Sequence, residues 1–334
     1  MARSRQIMTV FIAVTLILMI GLSGCGAPKD IADTAQSQQV TENKDKPSEE
    51  QGDASNSTRI VRDEFGEVKV PTDPQRIAGV YLEDYLVALG ITPIVQWYHP
   101  TWGIQEYLKL DVPQFDISGS IEAMLEESPD LIFVDGAADA AKYETYSKVA
   151  PTYRVTESVL QDPREILKTI ANVLGMSDKA NQVLRDYDQK VSNAKAKLKA
   201  TIGDETVAVM RLNIGDKSIA LFGINNRFVG NILYKELELK PNASVRDMEE
   251  FQAILSEEMI PKFDADHIIL LPSNGSWTSE ENKEAMKILD SSLWKLMRAV
   301  KKGNVYMADR SHWQTGAITA DMLKVDDLLK WFVK

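Results

Sequence analysis

The chain has 334 residues, 44% of them hydrophobic, and its 49 acidic and 38 basic side chains give a formal net charge of −11. That balance argues against a nucleic-acid partner and against a polybasic membrane patch, so any anionic ligand must be met by a few local cations. The single cysteine excludes an internal disulfide, and three histidines are too few for a histidine-rich metal site.

Arg3 and Arg5 precede an apolar run from Ile7 to Leu22. The run falls short of the roughly 20 residues a spanning helix needs and ends in small residues, the pattern of a cleaved export signal. Leu22-Ser23-Gly24-Cys25 resembles the bacterial lipobox. The resemblance implies a signal peptide over 1–24 and a lipid, palmitate included, on Cys25, whose thiolate is the strongest nucleophile available to accept it. Residues 26–58 hold no aromatic side chain and are rich in Ala, Gln, Ser, Asp, Glu and Lys. Such a stretch buries too little apolar surface to offset ordering, so 25–58 reads as a lipid-anchored flexible tether. The expected location is the extracellular face of a Gram-positive cell membrane. Loss of Arg3 and Arg5 takes the mature charge from −11 to −13.

From residue 59 onward, short β-branched runs alternate with amphipathic stretches, the sign of an α/β fold. Strands are expected at Arg76–Val80, Ile91–Gln96, Leu131–Asp135, Thr206–Leu212, His267–Leu271 and Val305–Ala308. Helices are expected at Glu83–Leu89, Ile121–Glu127, Tyr143–Val149 and Trp294–Lys301. Asp162-Pro163 reads as an N-cap followed by proline at the first helical position, and Gly175 as the stop of that helix. Ala180, Val183, Leu184, Tyr187, Val191, Ala194 and Leu198 then keep a helical period over 177–199. At mid-chain, this helix is placed to join an N-terminal α/β lobe (59–176) to a C-terminal one (200–334).

Five ordered motifs carry a further resemblance. Asp63-Glu64-Phe65-Gly66-Glu67-Val68-Lys69-Val70-Pro71 leads to Pro74-Gln75-Arg76-Ile77, and Leu86-Val87-Ala88-Leu89-Gly90-Ile91-Thr92-Pro93 follows. Ser120-Ile121-Glu122 precedes Ser128-Pro129-Asp130-Leu131-Ile132, and Ser256-Glu257-Glu258-Met259-Ile260-Pro261 precedes Asp266-His267-Ile268-Ile269. The series closes with Leu293-Trp294-Lys295 and Ala299-Val300-Lys301-Lys302-Gly303-Asn304-Val305-Tyr306. This order resembles the class III (cluster A-II) substrate-binding proteins of ABC importers, which take up iron-siderophores, haem and cobalamin. The resemblance implies two Rossmann-like lobes joined by one rigid helix, with the ligand cleft between them. It also implies a monomeric receptor that is not an enzyme and that serves a permease dimer with its ATPase. By motif position Glu122 and Glu258 would dock on the permease, with Glu257 an open alternative to Glu258.

The cleft should be lined by loops at strand ends. Trp97, Tyr98, His99 and Trp102 cluster after one expected strand, and aromatic residues on a loop suggest binding. In the second half, Arg211, Phe222, Arg227, Trp277, Arg310, His312 and Trp313 follow strands or lie in adjoining loops. Arginine forks suit carboxylate or hydroxamate oxygens, and aromatic rings suit an organic backbone. The expected ligand is an Fe(III)-siderophore, with hydroxamates favoured because a strongly anionic catecholate would call for a denser basic cluster. Such a ligand saturates its own iron, so no protein cofactor or metal ligand is expected. The alternatives are haem, with His99 or His312 as axial ligand, and cobalamin. A secreted hydrolase is disfavoured: no G-x-S-x-G or H-E-x-x-H occurs, and Asp309, Ser311 and His312 are too close in sequence for a triad.

Overall fold

The computed structural model describes residues 57–333 apart from 101, 118, 119, 216 and 217. Cys25, the signal segment and the tether as far as residue 56 lie outside the described residues. An antiparallel hairpin opens the fold, β1 (Thr58–Asp63) against β2 (Gly66–Pro71). Asp63 Oδ1 accepts the N–H groups of Phe65 and Gly66 at 2.8 and 3.2 Å, and Gly66 takes φ +133°, where a side chain would be strained. The first motif is therefore turn chemistry, and its valines, Val68 and Val70, are buried in the core. Arg154 fastens the hairpin to the body: its backbone N–H donates to Asp63 Oδ2 at 3.0 Å, and its guanidinium pairs with Glu64.

The N-terminal lobe runs β3 (Ile77–Val80), α1 (Glu83–Ala88), β4 (Gln96–Tyr98), β5 (Gln114–Asp116), α2 (Glu122–Glu126), β6 (Leu131–Val134), α3 (Ala140–Ser147) and β7 (Thr152–Arg154). β3, β6 and β7 form a parallel sheet in the order β3-β6-β7, and every residue in it is buried, as parallel strands covered on both faces require. β4 and β5 form a separate parallel pair. The strand expected at Ile91–Gln96 shifts to Gln96–Tyr98. Pro93 has no N–H for a ladder, and Ile91 and Ile94 give theirs to the carbonyls of Leu86 and Ile77. Asp130 of the P-D-L-I motif accepts the N–H groups of Gln75 and Arg76 at 2.7 and 3.0 Å, fixing the entry to β3.

Two helices lead out of this lobe. α4 (Pro163–Leu174) starts as read: Asp162 accepts from the N–H of Arg164 and Glu165, and Gly175 ends the helix at φ +71°. α5 (Ser177–Ile202) has 26 residues, about 39 Å at 1.5 Å per residue. Its buried stripe, Ala180, Leu184, Tyr187, Val191, Ala194, Leu198 and Ile202, packs against α4 and the last helix of the chain. Arg164 on α4 spans to Asp188 and Glu236 at 2.5 and 3.0 Å, with its guanidinium 4.8 Å over the Tyr187 ring.

The C-terminal lobe runs β8 (Thr206–Leu212), β9 (Ile219–Phe222), a π-helical turn at Asn231–Glu236, β10 (Lys240–Pro241), α6 (Ala243–Arg246), β11 (Gln252–Leu255), β12 (His267–Leu271), α7 (Glu280–Met286), α8 (Ser292–Lys295), α9 (Arg298–Lys302), β13 (Val305–Met307), α10 (Arg310–Trp313) and α11 (Ile318–Phe332). The sheet has the order β11-β9-β8-β12-β13, with β10 also on β8; β8, β12 and β13 are parallel. Asp266 repeats the part of Asp130, accepting from the N–H and hydroxyl of Thr206 at 3.0 Å. The helix expected over Trp294–Lys301 is two short ones, because the fully buried Met297 takes an extended conformation (ψ 142°) between them.

The two lobes share a buried joint. α11 has no capping side chain of its own. Asp84, fully buried on α1, supplies the cap: its carboxylate accepts the N–H groups of Thr319 and Ala320 at 2.9 and 3.0 Å and the Tyr107 hydroxyl at 2.7 Å. Tyr85 donates its hydroxyl to the Gly316 carbonyl at 2.9 Å, and a Cβ on Gly316 would meet the Arg227 carbonyl oxygen at 2.2 Å. Within α11, buried Lys324 pairs with Asp321 at 2.7 Å and donates to the carbonyls of Phe228 and Thr315. Asp84→Ala leaves three buried donors without an acceptor, a loss on the order of 3 kcal/mol or more in urea unfolding. Asp84→Asn, which keeps one acceptor oxygen, loses less. A loss under about 1 kcal/mol for the alanine variant would contradict the assigned role.

Candidate ligand-binding cleft

The segments after β4 and β6 of one lobe meet those after β13 and β9 of the other. Arg310, after β13, donates from Nη1 to the Trp102 carbonyl, after β4, at 3.0 Å. Tyr107 N–H donates to Ser311 Oγ at 3.2 Å, and Arg227 Nη1 lies 3.8 Å from Asp135 Oδ2, directly after β6. Crevices at strand carboxyl ends are where α/β sheets take ligands.

On the C-terminal wall, Arg211 at the end of β8 gives Nε and Nη2 to Asn213 Oδ1 at 3.2 and 3.1 Å, and its guanidinium lies 5.7 Å over the Phe222 ring. Arg310 is buried, and its Nε has no protein partner. Burial, with the charge of Arg211 added to it, pulls the Arg310 pKa down to about 10. Half-buried Trp277 donates Nε1–H to the Ala308 carbonyl at 2.9 Å, which holds its loop against the end of β13.

On the N-terminal wall, Trp97 and Tyr98 belong to β4 itself, with Trp97 buried and Tyr98 half-buried. The Trp97 ring packs 4.2 Å from Tyr81, a residue in the left-handed region at φ +64°. The backbone N–H of Trp97 donates to Glu83 Oε1 at 2.8 Å. His99 stacks on Trp102 with ring centroids 4.0 Å apart, and Trp102 is 45% exposed, a flat aromatic surface at the mouth. Eight buried side-chain polar atoms lack a protein hydrogen-bond partner among the described residues. Five of them, Glu83 Oε2, Trp97 Nε1, Gln105 Oε1, Arg310 Nε and Gln314 Oε1, belong to these meeting segments.

Three of the expected lining residues turn inward. Phe222 is fully buried and offers the cleft only a platform for Arg211. His312 Nε2 and Trp313 Nε1 both engage Asp327 Oδ2, at 2.7 and 2.8 Å, and both side chains are buried. The four residues of α10 point its far side into the core, a turn that strand-end position alone does not disclose. The same contact takes His312 away from Ser311, so no triad forms there. Glu122, Glu257 and Glu258 are all exposed, and the Glu122 carboxyl is held below its usual range by a hydrogen bond from Ser120. Among the described residues no group of three or more His, Cys, Asp or Glu side chains could hold a metal ion, and no helix is long and apolar enough to cross a membrane. Two hollows are edged by none of these cleft residues. One, of about 310 Å³, is edged by Arg164, Asp188 and Glu236; the other, of about 500 Å³, by Lys262, Arg298 and Lys302.

Tyr81, Glu83, Gln105 and Asp135 were not legible as site residues, since acids opening a helix ordinarily face water. Burial pushes the Glu83 pKa up to about 8 against the hydrogen bond from Trp97. Its ordinary value is 4.5, so the folded chain keeps a proton that the unfolded chain releases. Stability therefore falls as pH rises from about 4.5 to about 8. Glu83→Gln, which retains the acceptor for Trp97, should flatten the difference in urea stability between about pH 5 and about pH 8. An unchanged difference would show that Glu83 titrates normally.

A family model described as periplasmic binding protein matches residues 84–311. The "Probable siderophore-binding lipoprotein YfiY" of Bacillus subtilis is 31% identical over 301 residues, covering 84% of this chain and 90% of that protein. The iron(3+)-hydroxamate-binding protein FhuD of Bacillus subtilis is 33% identical over 280 residues, covering 78% and 84%. Among solved structures, a FhuD fold-family protein of Bacillus subtilis superposes with a TM-score of 0.69 at 28% identity, over 82% of this chain and all of that one. That protein is the periplasmic binding protein component of a Fep/Fec-like ferrichrome ABC transporter. With two α/β lobes on one long helix and a family match across both, the chain belongs to the periplasmic binding protein family.

Proposed function

We propose that this protein is an extracytoplasmic receptor that captures a ferric siderophore between its lobes and delivers it to the permease dimer of an ABC importer, catalysing no reaction. The observation that carries the reading is the meeting of strand-end segments from the two lobes, Arg310 on the Trp102 carbonyl and Arg227 beside Asp135, with Arg211, Tyr81 and Trp97 at neighbouring strand ends. YfiY and FhuD, by their names, speak for the same ligand class. A single helix restrains the lobes to small closing movements, so the cleft is largely preformed. We assign the anchor to the lipid on Cys25, in keeping with the lipoprotein name of YfiY, and place the monomer on the outer face of the membrane. Haem is the weaker reading: His312 is committed to Asp327, which leaves His99, stacked on Trp102, as the one remaining axial candidate of the two. The hydroxamate class is supported by the name of FhuD, and it depends on how much net charge the cleft must meet.

Quenching of tryptophan fluorescence should report micromolar or tighter binding of at least one ferric siderophore, roughly −8 kcal/mol or better. Tight binding of haem or cobalamin with no response to any ferric siderophore would overturn the reading. Glu122 and Glu258 are assigned to docking, where rim charges set orientation and on-rate more than affinity. Glu122→Lys with Glu258→Lys should abolish iron uptake by cells while changing siderophore affinity by less than about twofold. Uptake at the parental rate would remove that assignment, and Glu257→Lys would test its neighbour.

A further inference from the structure

Among the described residues two ion pairs join the lobes, and they differ in closeness. Beside the strut, Arg164 of α4 gives Nε and Nη2 to the two oxygens of Glu236 at 3.1 and 3.0 Å, a bidentate bond. At the cleft, Arg227 Nη1 stands 3.8 Å from Asp135 Oδ2. That leaves about 1 Å to a charge-assisted hydrogen bond. Both residues are held at the backbone. The Phe228 carbonyl, next to Arg227, accepts from buried Lys324 at 2.6 Å, and the Arg227 carbonyl crowds Gly316. Asp135 Oδ1 accepts the Ala137 N–H at 2.9 Å, so Oδ2 is the oxygen left facing Arg227. Asp135 is buried, which pushes its pKa up, and Arg227 is the leading influence pulling it back. What can still move is the lobe relation and the half-buried Arg227 side chain, whose guanidinium lies 5.3 Å over the Phe228 ring.

Resting on the reading of the protein as a ferric-siderophore receptor, we infer that Asp135 and Arg227 form a latch across the cleft, an ion pair that closes once a chelate is seated and slows its escape. Strand-end position suggests Arg227 as a ligand contact, yet its guanidinium faces a carboxylate of the opposite lobe. A chelate entering between the lobes displaces water from around the pair, and the attraction between two unit charges grows as the local dielectric falls. The pair then closes without either residue touching the chelate. The single strut permits only small movements, and a small one suffices here. The Arg164–Glu236 bond and the Asp84 cap stay made while the gap at Asp135 is taken up. A contact completed only after the ligand is in place acts on departure rather than on arrival. Asp135 and Arg227 are therefore positioning residues, which set the residence time of the chelate through the lobes.

The test is stopped-flow tryptophan fluorescence of the full chain with ferric citrate, ferrichrome and a ferric triscatecholate, following whichever of the three binds tightest. Asp135→Asn, which keeps the acceptor for Ala137, and Arg227→Gln should each raise the dissociation rate roughly 5- to 20-fold. The association rate should change less than about threefold. The double variant should release the chelate no faster than either single one, because both substitutions remove the same contact. Arg227→Lys, which keeps the charge without the fork, should restore part of the slow release. Tighter binding by Asp135→Asn would show that Arg227 answers the chelate instead, and it overturns the latch while leaving the receptor reading in place. Additive effects of the two substitutions, or a loss carried by the association rate, overturn it in the same way. A chain that binds none of the three chelates contradicts the receptor reading and the latch together.

Discussion

Everything the cleft does depends on a carboxylate of one lobe closing the helix of the other. α11 begins with backbone N–H groups that its own sequence does not cap, and Asp84 reaches across from α1 to accept two of them while holding Tyr107. The bond set is buried and directional, so it positions the lobes as well as holding them. Tyr85 of one lobe donates to the Gly316 carbonyl of the other across the same seam. With α5 packed along α11 and this joint beside it, the segments carrying Trp102 and Arg310 meet at the Trp102 carbonyl.

That fixity gives the electrostatics their meaning. A mobile surface would let Arg211 and Arg310 swing to water or to one of the many acids of the chain. Here Arg211 is held over Phe222 by Asn213, and Arg310 is held in the joint by the Trp102 carbonyl. The opposite wall carries Glu83, largely protonated at neutral pH, and Asp135, whose charge Arg227 meets. The result is a cleft whose uncompensated charge is positive on a protein whose total charge is negative.

The frame was legible because its causes are local. Asp162-Pro163 and Gly175 bound α4 by cap chemistry, and the stripe from Ala180 to Leu198 announces α5. Asp130 and Asp266, read only as letters of a motif, prove to tie the start of a strand in each lobe. The positions of the candidate cleft residues were half legible. Arg211, Arg310, Trp97 and Trp102 were expected from strand ends and aromatic clustering, and the fold places them in or just after β8, β13 and β4. His312 and Trp313 depart from expectation, because the pull of Asp327, fifteen and fourteen residues on, rotates them inward. Glu83 and Asp84 were hidden for the opposite reason: acids in a first helical turn look solvated, whereas buried Glu83 meets the Trp97 N–H of its own lobe and Asp84 meets α11 of the other.

In the function proposed above, the ligand sits between the lobes, on the arginine and tryptophan walls, with the joint intact. A crystal structure of the chain with a bound ferric chelate tests it most directly. The expected result is iron in the cleft, chelate oxygens on Arg211 and Arg310, an aromatic wall from Trp97 and Trp102, and the Asp84 cap of α11 unchanged. A chelate seated instead in the hollow beside Arg164 and Asp188 or in the one beside Lys262 and Lys302, or a lobe movement that breaks the Asp84 cap, would contradict it.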